Sequence, residues 1–260
     1  INLITGFPYN HIDEKNINKS KKIRSNFLSM GVKKIISVLD ENSSDDPRWH
    51  PGNKFQQENY YYILDEVLKN NELAVIFKPK APSTLAHRLG EVNDLLEEAK
   101  KTGRVYIYDA DKNITGRKSS SLPIHAALSS DLVVHGHLCA GTAAIESALY
   151  GIPTVLINRE KSFNNKLNDL PKNQIVFGDW PEFIHSLNTN YLKNSDSKFG
   201  EWGDYIYEFD PFNDKKGHVR IGQTLKLILN SFNQGYNRDD ILDKVINEYS
   251  SKWGNDKIII

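Results

Sequence analysis

Short runs of apolar residues alternate along the chain with longer segments in which apolar residues recur at helical spacing. The short runs predict buried β-strands, and the spaced segments predict amphipathic helices. Repeated strand–helix–strand units with buried strands are typical of a parallel sheet with right-handed crossovers. The pattern therefore predicts an α/β fold with a Rossmann-like parallel sheet flanked by helices. The predicted strands are 34–39, 74–77, 105–108, 132–134, 154–157 and 174–177, and the helices between and after them are 56–70, 83–101, 123–130, 142–150 and 181–187.

The N-terminal end of the chain follows a different pattern. Residues 1–20 are polar after a short apolar run, which predicts a loop or linker. A short helix then ends at Gly31, before the first predicted strand. We therefore divide the chain into a linker with a short helix, a Rossmann-like domain, and an aromatic-rich segment with helices that pack on that domain. The three parts are 1–31, 32–190 and 191–260.

The C-terminal part consists of two amphipathic helices, 218–232 and 238–253, with no strand after them. Apolar residues recur at helical spacing in both, so each helix is expected to bury one face. In the first helix, the residues predicted to face inward are Ile221, Leu225, Ile228, Leu229 and Phe232.

The stretch 132–158 contains a strand, a turn of small residues, a helix and a second strand. A helix N-terminus leaves backbone N–H groups unpaired and carries partial positive charge, and glycine lets a ligand approach the backbone. The turn at Gly141 and Thr142 therefore predicts a phosphate site. Glu146 lies about one helical turn further on, within reach of a ribose hydroxyl of the same ligand. The alternative is that the small residues serve only tight packing of the helix on the sheet.

Composition excludes several classes of protein. Lys and Arg together number 33, as do Asp and Glu, so no global positive field favours nucleic acid or an anionic membrane. The single Cys139 excludes an intramolecular disulfide and a cysteine-rich zinc site, and it fits a reducing compartment. No apolar run approaches the roughly 18 residues of a membrane span, and no secretory signal follows Ile1. We therefore expect a cytoplasmic protein, or one at the inner face of the membrane.

The order of features in the stretch 132–158 resembles the nucleotide-sugar-binding segment in the C-terminal domain of GT-B glycosyltransferases. The shared features are the turn at His135 and Gly136, the small-residue start of the helix, Glu146 and the G-x-P sequence at 151–153. The resemblance implies one half of a GT-B fold with a C-terminal helical extension, working in bacterial surface polysaccharide biosynthesis. It implies three partners: a nucleotide-sugar donor, a glycan or lipid-linked acceptor, and an N-terminal Rossmann-like domain of the same or another chain.

The same resemblance implies roles for individual residues. Thr142 and Ala143 would contact the donor phosphates, and Glu146 would contact the ribose. A basic residue after the second strand of such domains faces the phosphates, which implicates Lys78 and Lys80. The predicted nucleotide-sugar-binding residues are Lys78, Lys80, His135, Gly136, Gly141, Thr142, Ala143 and Glu146. No catalytic base is named, because GT-B enzymes usually take it from the N-terminal domain, and neither a metal nor a cofactor is expected.

Other roles of single residues stay open. His135 is expected to donate a hydrogen bond to a phosphate, with a structural tie to a nearby carbonyl as the equal alternative. His135 and His137 flank Gly136 at a spacing that suits a metal, but no third ligand follows at useful spacing. The polar loop 109–121 is expected to neighbour the nucleotide base in the resembled fold.

Two other functions compete with glycosyl transfer. UDP-sugar 2-epimerases share the fold and have arginine and glutamate soon after the G-x-P strand, as Arg159 and Glu160 are here. That pattern gives no reason for the turn from His135 to His137. A non-catalytic interaction module is the alternative of another class, and the aromatic-rich segment 191–212 favours it.

Overall fold

In a computed structural model, the structure describes residues 1–8, 12, 14–46, 48, 52–109, 121–161, 164–193 and 198–259. The strands are β1 (Asn2–Leu3), β2 (Lys34–Leu39), β3 (Leu73–Lys78), β4 (Val105–Ile107), β5 (Leu132–His135), β6 (Thr154–Ile157), β7 (Val176–Phe177) and β8 (Ile258–Ile259). The α-helices are α1 (Glu14–Ser29), α2 (Asn53–Lys69), α3 (Leu85–Leu89), α4 (Val92–Lys100), α5 (Pro123–Ala127), α6 (Thr142–Leu149), α7 (Trp180–Ser186), α8 (Gly217–Asn233) and α9 (Arg238–Trp253).

The chain divides into two compact units, 12–203 and 1–11 with 204–260. The larger unit contains a six-stranded parallel sheet in the order β4-β3-β2-β5-β6-β7. Strand order reverses between β2 and β5, because the chain first builds outward through β3 and β4 and then returns to the other side. This confirms the predicted Rossmann-like fold, and ligands of open α/β sheets bind at the carboxyl ends of the strands where the order reverses.

Helices cover both faces of the sheet, and alternate residues of each strand pack on opposite layers. Ile36 and Val38 of β2 pack in a layer with α2, α3, α4 and α7. Ile35 and Leu39 pack in the other layer with α1 and α5. Burial on both faces explains why the central strands are nearly continuous apolar runs.

Four details of the larger unit differ from the prediction. Residues 14–29 form a helix, where the sequence predicts a loop to residue 20. The predicted helix 83–101 is broken at Gly90, whose positive φ of 54° ends α3 before α4 begins. The last strand is only two residues long, and α7 continues as a π-helical turn, Leu187–Leu192. Residues 110–120 of the loop 109–121, which is expected to neighbour the nucleotide base, lie outside the described residues, so that prediction is not tested.

The smaller unit joins the two ends of the chain. β1 pairs antiparallel with β8, so a strand does follow the last helix and the prediction of none was wrong. The hydroxyl of Tyr249 donates to the carbonyl of Ile4 at 2.7 Å. The buried guanidinium of Arg220 lies 3.5 Å from the centroid of the Phe212 ring and pairs with Asp214. Contacts of this kind group residues 1–11 with the C-terminal helices. The domain boundaries predicted at residues 31 and 190 stay predictions.

The predicted inward face of α8 is wrong at three positions. Leu225, Leu229 and Phe232 are 54%, 61% and 70% exposed. Periodicity shows that a helix has an apolar stripe but does not say which neighbour covers it, and in this small unit α8 packs on α9 through other positions. Within the described residues, every helix is too short or too polar to cross a bilayer.

Candidate functional site

The carboxyl edge of the sheet brings several predicted residues into one row. Lys78, Leu39, His135 and Leu156 are successive neighbours across four strands. Neighbouring strands lie roughly 4.8 Å apart, so Lys78 and His135 are separated by about 10 Å along this row. The point where strand order reverses lies between Leu39 and His135, and the loops that follow these strands form the candidate site.

The N-terminus of α6 presents two backbone amides without acceptors. The amides of Ala144 and Ile145 donate to the carbonyl of Gly141, both at 3.0 Å. The amides of Thr142 and Ala143 have no acceptor among the described residues, and no side chain caps the helix. Thr142 is exposed, and its hydroxyl does not cap the helix. These two donors and the helix dipole are what the phosphate prediction requires.

The two predicted site glycines also have packing roles. Gly141 has a φ of −65°, so backbone conformation does not require a glycine there. A Cβ at Gly141 would lie 2.3 Å from Cδ1 of Leu167, and a Cβ at Gly136 would lie 2.3 Å from Oδ1 of Asn59. Tight packing is therefore sufficient to explain both glycines, whether or not a ligand approaches the turn.

Glu146 is the unusual group of the site. The residue is only 8% exposed, and its carboxylate has no hydrogen bond or ion pair with any described residue. Burial raises the pKa of Glu146 to about 7. A buried carboxylate without a partner is costly to keep, so such a group in a cleft is a candidate for ligand binding.

His135 is buried and neutral at physiological pH. Burial, followed by the neighbouring His137, lowers the pKa of His135 to about 4. Its Nδ1 accepts a hydrogen bond from the amide of His137 at 3.3 Å. Because an accepting imidazole nitrogen carries no proton, the proton of the neutral ring is assigned to Nε2. Among the described residues Nε2 has no hydrogen-bond partner, so it remains available as a donor.

His137 is held by a network of hydrogen bonds. Its Nδ1 donates to Oε1 of Glu160 at 2.8 Å, and its Nε2 accepts from Nδ2 of Asn59 at 3.0 Å. Burial alone would raise the pKa of Glu160, but the hydrogen bond with His137 brings it below its ordinary value. Arg159 donates to Oδ1 of Asn59 at 2.6 Å and to the carbonyl of Gly136 at 3.0 Å. Within the described part of the chain no group of three or more metal-ligating side chains occurs.

Asn59 was missed from the sequence. Its amide joins α2 to the His135–His137 turn, and Oδ1 also accepts from Nε1 of Trp180 at 3.1 Å. A signal was present, because Gln56 and Asn59 are polar residues three apart on the otherwise apolar face of a predicted helix. Polar residues at such positions must find buried partners.

A second buried network surrounds Asp40, directly after β2. Its carboxylate accepts from Nε2 of Gln56 at 2.6 Å, from the hydroxyl of Tyr60 at 3.2 Å and from the amide of Lys80 at 2.6 Å. The guanidinium of Arg88 lies 3.6 Å away. Asp40 therefore ties together the loops that follow β2 and β3.

The two predicted lysines both have partners within the protein. Lys78 is buried, its Nζ donates to the carbonyl of Pro79 at 3.0 Å, and burial lowers the pKa of Lys78 to about 8. Lys80 is exposed and pairs with Glu41. A phosphate would have to compete with these contacts, so the phosphate role of both lysines stays a prediction.

No protein-family model and no curated protein matches the chain. The chain is similar to the solved structure of Anabaena HepE in complex with UDP and glucose, with a TM-score of 0.50 and 14% identity over 83% of this chain and 53% of HepE. The chain thus spans about half the length of HepE. At this identity the likeness shows the fold alone, a Rossmann-like parallel sheet of the GT-B type with C-terminal helices.

Two further solved structures are similar at lower TM-scores. The C-terminal CMP-Kdo binding domain of WaaA from Acinetobacter baumannii has a TM-score of 0.46 and 12% identity over 75% of this chain and all 100% of that domain. A protein described as a UDP-N-acetylglucosamine 2-epimerase from Listeria monocytogenes has a TM-score of 0.45 and 13% identity over 91% of this chain and 55% of that protein.

Proposed function

We propose that this chain is the donor-binding half of a GT-B glycosyltransferase, which moves a sugar from a nucleotide-activated donor to a surface glycan acceptor. The observation that carries the proposal is the buried, unpartnered carboxylate of Glu146 one helical turn after two free backbone amides. The amides offer hydrogen bonds to a diphosphate, and the carboxylate accepts hydrogen bonds from ribose hydroxyls. One nucleoside diphosphate would supply an acceptor for the two amides and donors for the carboxylate of Glu146.

The site can stabilise a leaving diphosphate with its own groups. The Nε2–H of His135, the amides of Thr142 and Ala143 and the dipole of α6 are fixed before the ligand arrives, which is the condition for effective electrostatic stabilisation. The proposal does not include a catalytic base, which GT-B enzymes usually take from the N-terminal domain. We therefore expect the isolated chain to bind a donor nucleotide and to transfer no sugar.

The competing functions have weaker support. Arg159 and Glu160, which favoured an epimerase, hold α2 and His137 in place through buried hydrogen bonds. Of the aromatic residues in the segment 191–212, which favoured an interaction module, Tyr191, Phe199 and Trp202 are buried, whereas Tyr205 and Tyr207 are 44% and 51% exposed. These buried residues are thus used for packing. A nucleotide site at Glu146 also fits an epimerase, which binds a nucleotide sugar, whereas an interaction module gives no reason for the unpartnered Glu146.

Calorimetry with nucleotides tests the proposal. UDP, CMP, ADP and GDP, each beside its nucleoside, are titrated into the wild type and Glu146→Gln. We expect at least one nucleotide to bind, and Glu146→Gln to weaken binding by about 1–3 kcal/mol, the size of a hydrogen bond to a charged group. The matched control is Glu98→Gln, which changes an exposed glutamate on α4 and is expected to leave affinity unchanged.

Two results would count against this proposal. Unchanged affinity in a correctly folded Glu146→Gln variant would remove Glu146 from the site. Failure of every nucleotide to bind the wild type at millimolar concentration would favour the interaction module.

A further inference from the structure

A second concave site lies on the loops that follow β2 and β3, in the larger unit. It encloses a volume of about 660 Å³, within the roughly 300–1,000 Å³ of small-molecule sites. Its walls include Asn42, Asp45, Asn53, Lys80, Thr84 and His87. The predicted nucleotide contacts of α6 follow β5 instead, whereas Lys80, which is also a predicted phosphate contact, lies in the wall of this pocket.

Part of the pocket wall is a buried hydrogen-bonded structure centred on Arg88. Arg88 is 3% exposed, and its guanidinium donates to the carbonyl of Ala81 at 3.0 Å, to Oγ of Ser43 at 3.3 Å and to Oγ1 of Thr84 at 3.2 Å. Asp40 lies beneath it at 3.6 Å. Because these bonds join both loops, the walls are held in place before any ligand binds, which lowers the entropic cost of binding.

The two cations of the walls already have counter-ions. Arg88 lies beside Asp40 and Lys80 pairs with Glu41, whereas Asp45 accepts a hydrogen bond from the neutral side-chain amide of Asn53. An anionic ligand would have to displace one of these carboxylates from its cation. The pocket therefore offers an anion little net attraction, although it contains two cationic residues.

What the walls still offer is neutral hydrogen bonding. Asn53 accepts from Oγ of Ser43 and donates to Asp45, and Thr84 accepts from Arg88 and donates to the carbonyl of Ala81, so each keeps only part of its hydrogen-bonding capacity. The imidazole of His87 is exposed and has no hydrogen-bond partner among the described residues. A ligand with many hydroxyl groups and no charge matches such walls, because each hydroxyl also both donates and accepts.

We propose that this pocket binds an uncharged sugar unit, separately from the nucleotide site at the start of α6. The proposal stands on the pocket alone and does not require that α6 bind a nucleotide. A sugar ring held by Asn53, Thr84 and His87 would lie at the carboxyl edge of the sheet.

The test follows the side-chain resonances of the chain by NMR while glucose, N-acetylglucosamine, maltotriose or chitotriose is added. We expect at least one of these sugars to shift the imidazole signals of His87 in a saturable way. We expect His87→Ala to weaken that binding about two- to tenfold, the loss of one neutral hydrogen bond. His185 is an exposed histidine on α7 that does not line the pocket. Its signals should therefore not move, and His185→Ala should bind the sugar normally.

UDP and inorganic phosphate serve as the other probes in the same experiment. If either shifts the signals of His87 and the sugars do not, the pocket is an anion site and the proposal is wrong. Each sugar is added at about 50 to 100 times the protein concentration, so that dissociation constants on the order of millimolar are detected. If none of the sugars moves these signals, or if His87→Ala binds as the wild type does, the proposal is also wrong. Nucleotide binding at α6 is scored separately by Glu146→Gln, so one proposal can fail without the other.

Discussion

Two carboxylates at the same edge of the sheet are equally buried and have opposite surroundings. Asp40 is 7% exposed and Glu146 is 8% exposed. Asp40 accepts hydrogen bonds from Gln56, Tyr60 and the amide of Lys80 and lies beside Arg88. Glu146 has none of these partners among the described residues. Burial alone therefore does not identify a functional carboxylate, whereas burial without a partner does suggest one.

Burial raises the pKa of both carboxyl groups, but only for Asp40 do other interactions oppose the rise. Burial raises the pKa of Asp40, and the nearby Arg88, the amide of Lys80, Lys78 and Tyr60 counteract it. Burial raises the pKa of Glu146 with no opposing interaction. The protein thus compensates Asp40 internally, and it leaves the compensation of Glu146 to protonation or to a ligand.

The largest expected effect is on the stability of Asp40→Ala. Removing this carboxylate leaves Arg88 buried without its counter-ion and frees the donors of Gln56 and Tyr60, so we expect a loss of about 3–5 kcal/mol in the free energy of unfolding. Urea denaturation measures it. Glu146→Ala is the matched control and should cost much less, because no partner is lost. Equal losses in the two variants would remove the distinction between the carboxylates.

The next effect is a pH dependence that belongs to Glu146. Its folded-state pKa is raised, so the folded protein holds the proton more tightly than the unfolded chain does. Its contribution to stability is therefore present below the unfolded pKa and is lost as pH rises from about 4.5 to about 7. At about 1.4 kcal/mol per pKa unit, this loss is on the order of 3 kcal/mol.

Urea denaturation of the wild type and Glu146→Gln at several pH values isolates this contribution, because other groups titrate alike in both proteins. We expect the wild type to lose stability relative to the variant across that pH range. Parallel stability profiles would mean that Glu146 is ordinarily solvated or has a partner.

The smallest effect concerns the packing of Gly141. Gly141→Ala places a Cβ against Leu167, so we expect overpacking to cost about 1–3 kcal/mol. Leu167→Ala removes the opposing side chain. The double variant should be less destabilised than the sum of the single variants, and urea denaturation of all three measures this coupling. Additive losses would show that Leu167 does not set the requirement for glycine.

Some elements follow from the sequence alone because their signals are local. The strands 34–39 and 154–157 and the helix 238–253 occur where the apolar pattern places them. The turn between β5 and α6 was also evident, since glycine, small residues and the G-x-P sequence act on the backbone of their own neighbourhood. The parallel sheet followed from the repetition of such units.

The rest depends on which distant residues meet. Asn59 and His137 are 78 residues apart, and they are in contact only because β2 and β5 are neighbours in the sheet. The pairing of β1 with β8 joins the two ends of the chain in the same way. Leu225, Leu229 and Phe232 of α8 show the reverse case, an apolar stripe that does not mark a buried face.

For the candidate site, the sequence by itself determined the position of Glu146 on a helix that begins at a small-residue turn. Only the tertiary structure decided that Glu146 lacks a partner while Asp40 has several. The physical reason is that hydrogen-bond satisfaction is a property of three-dimensional neighbours, which hydrophobic periodicity does not encode.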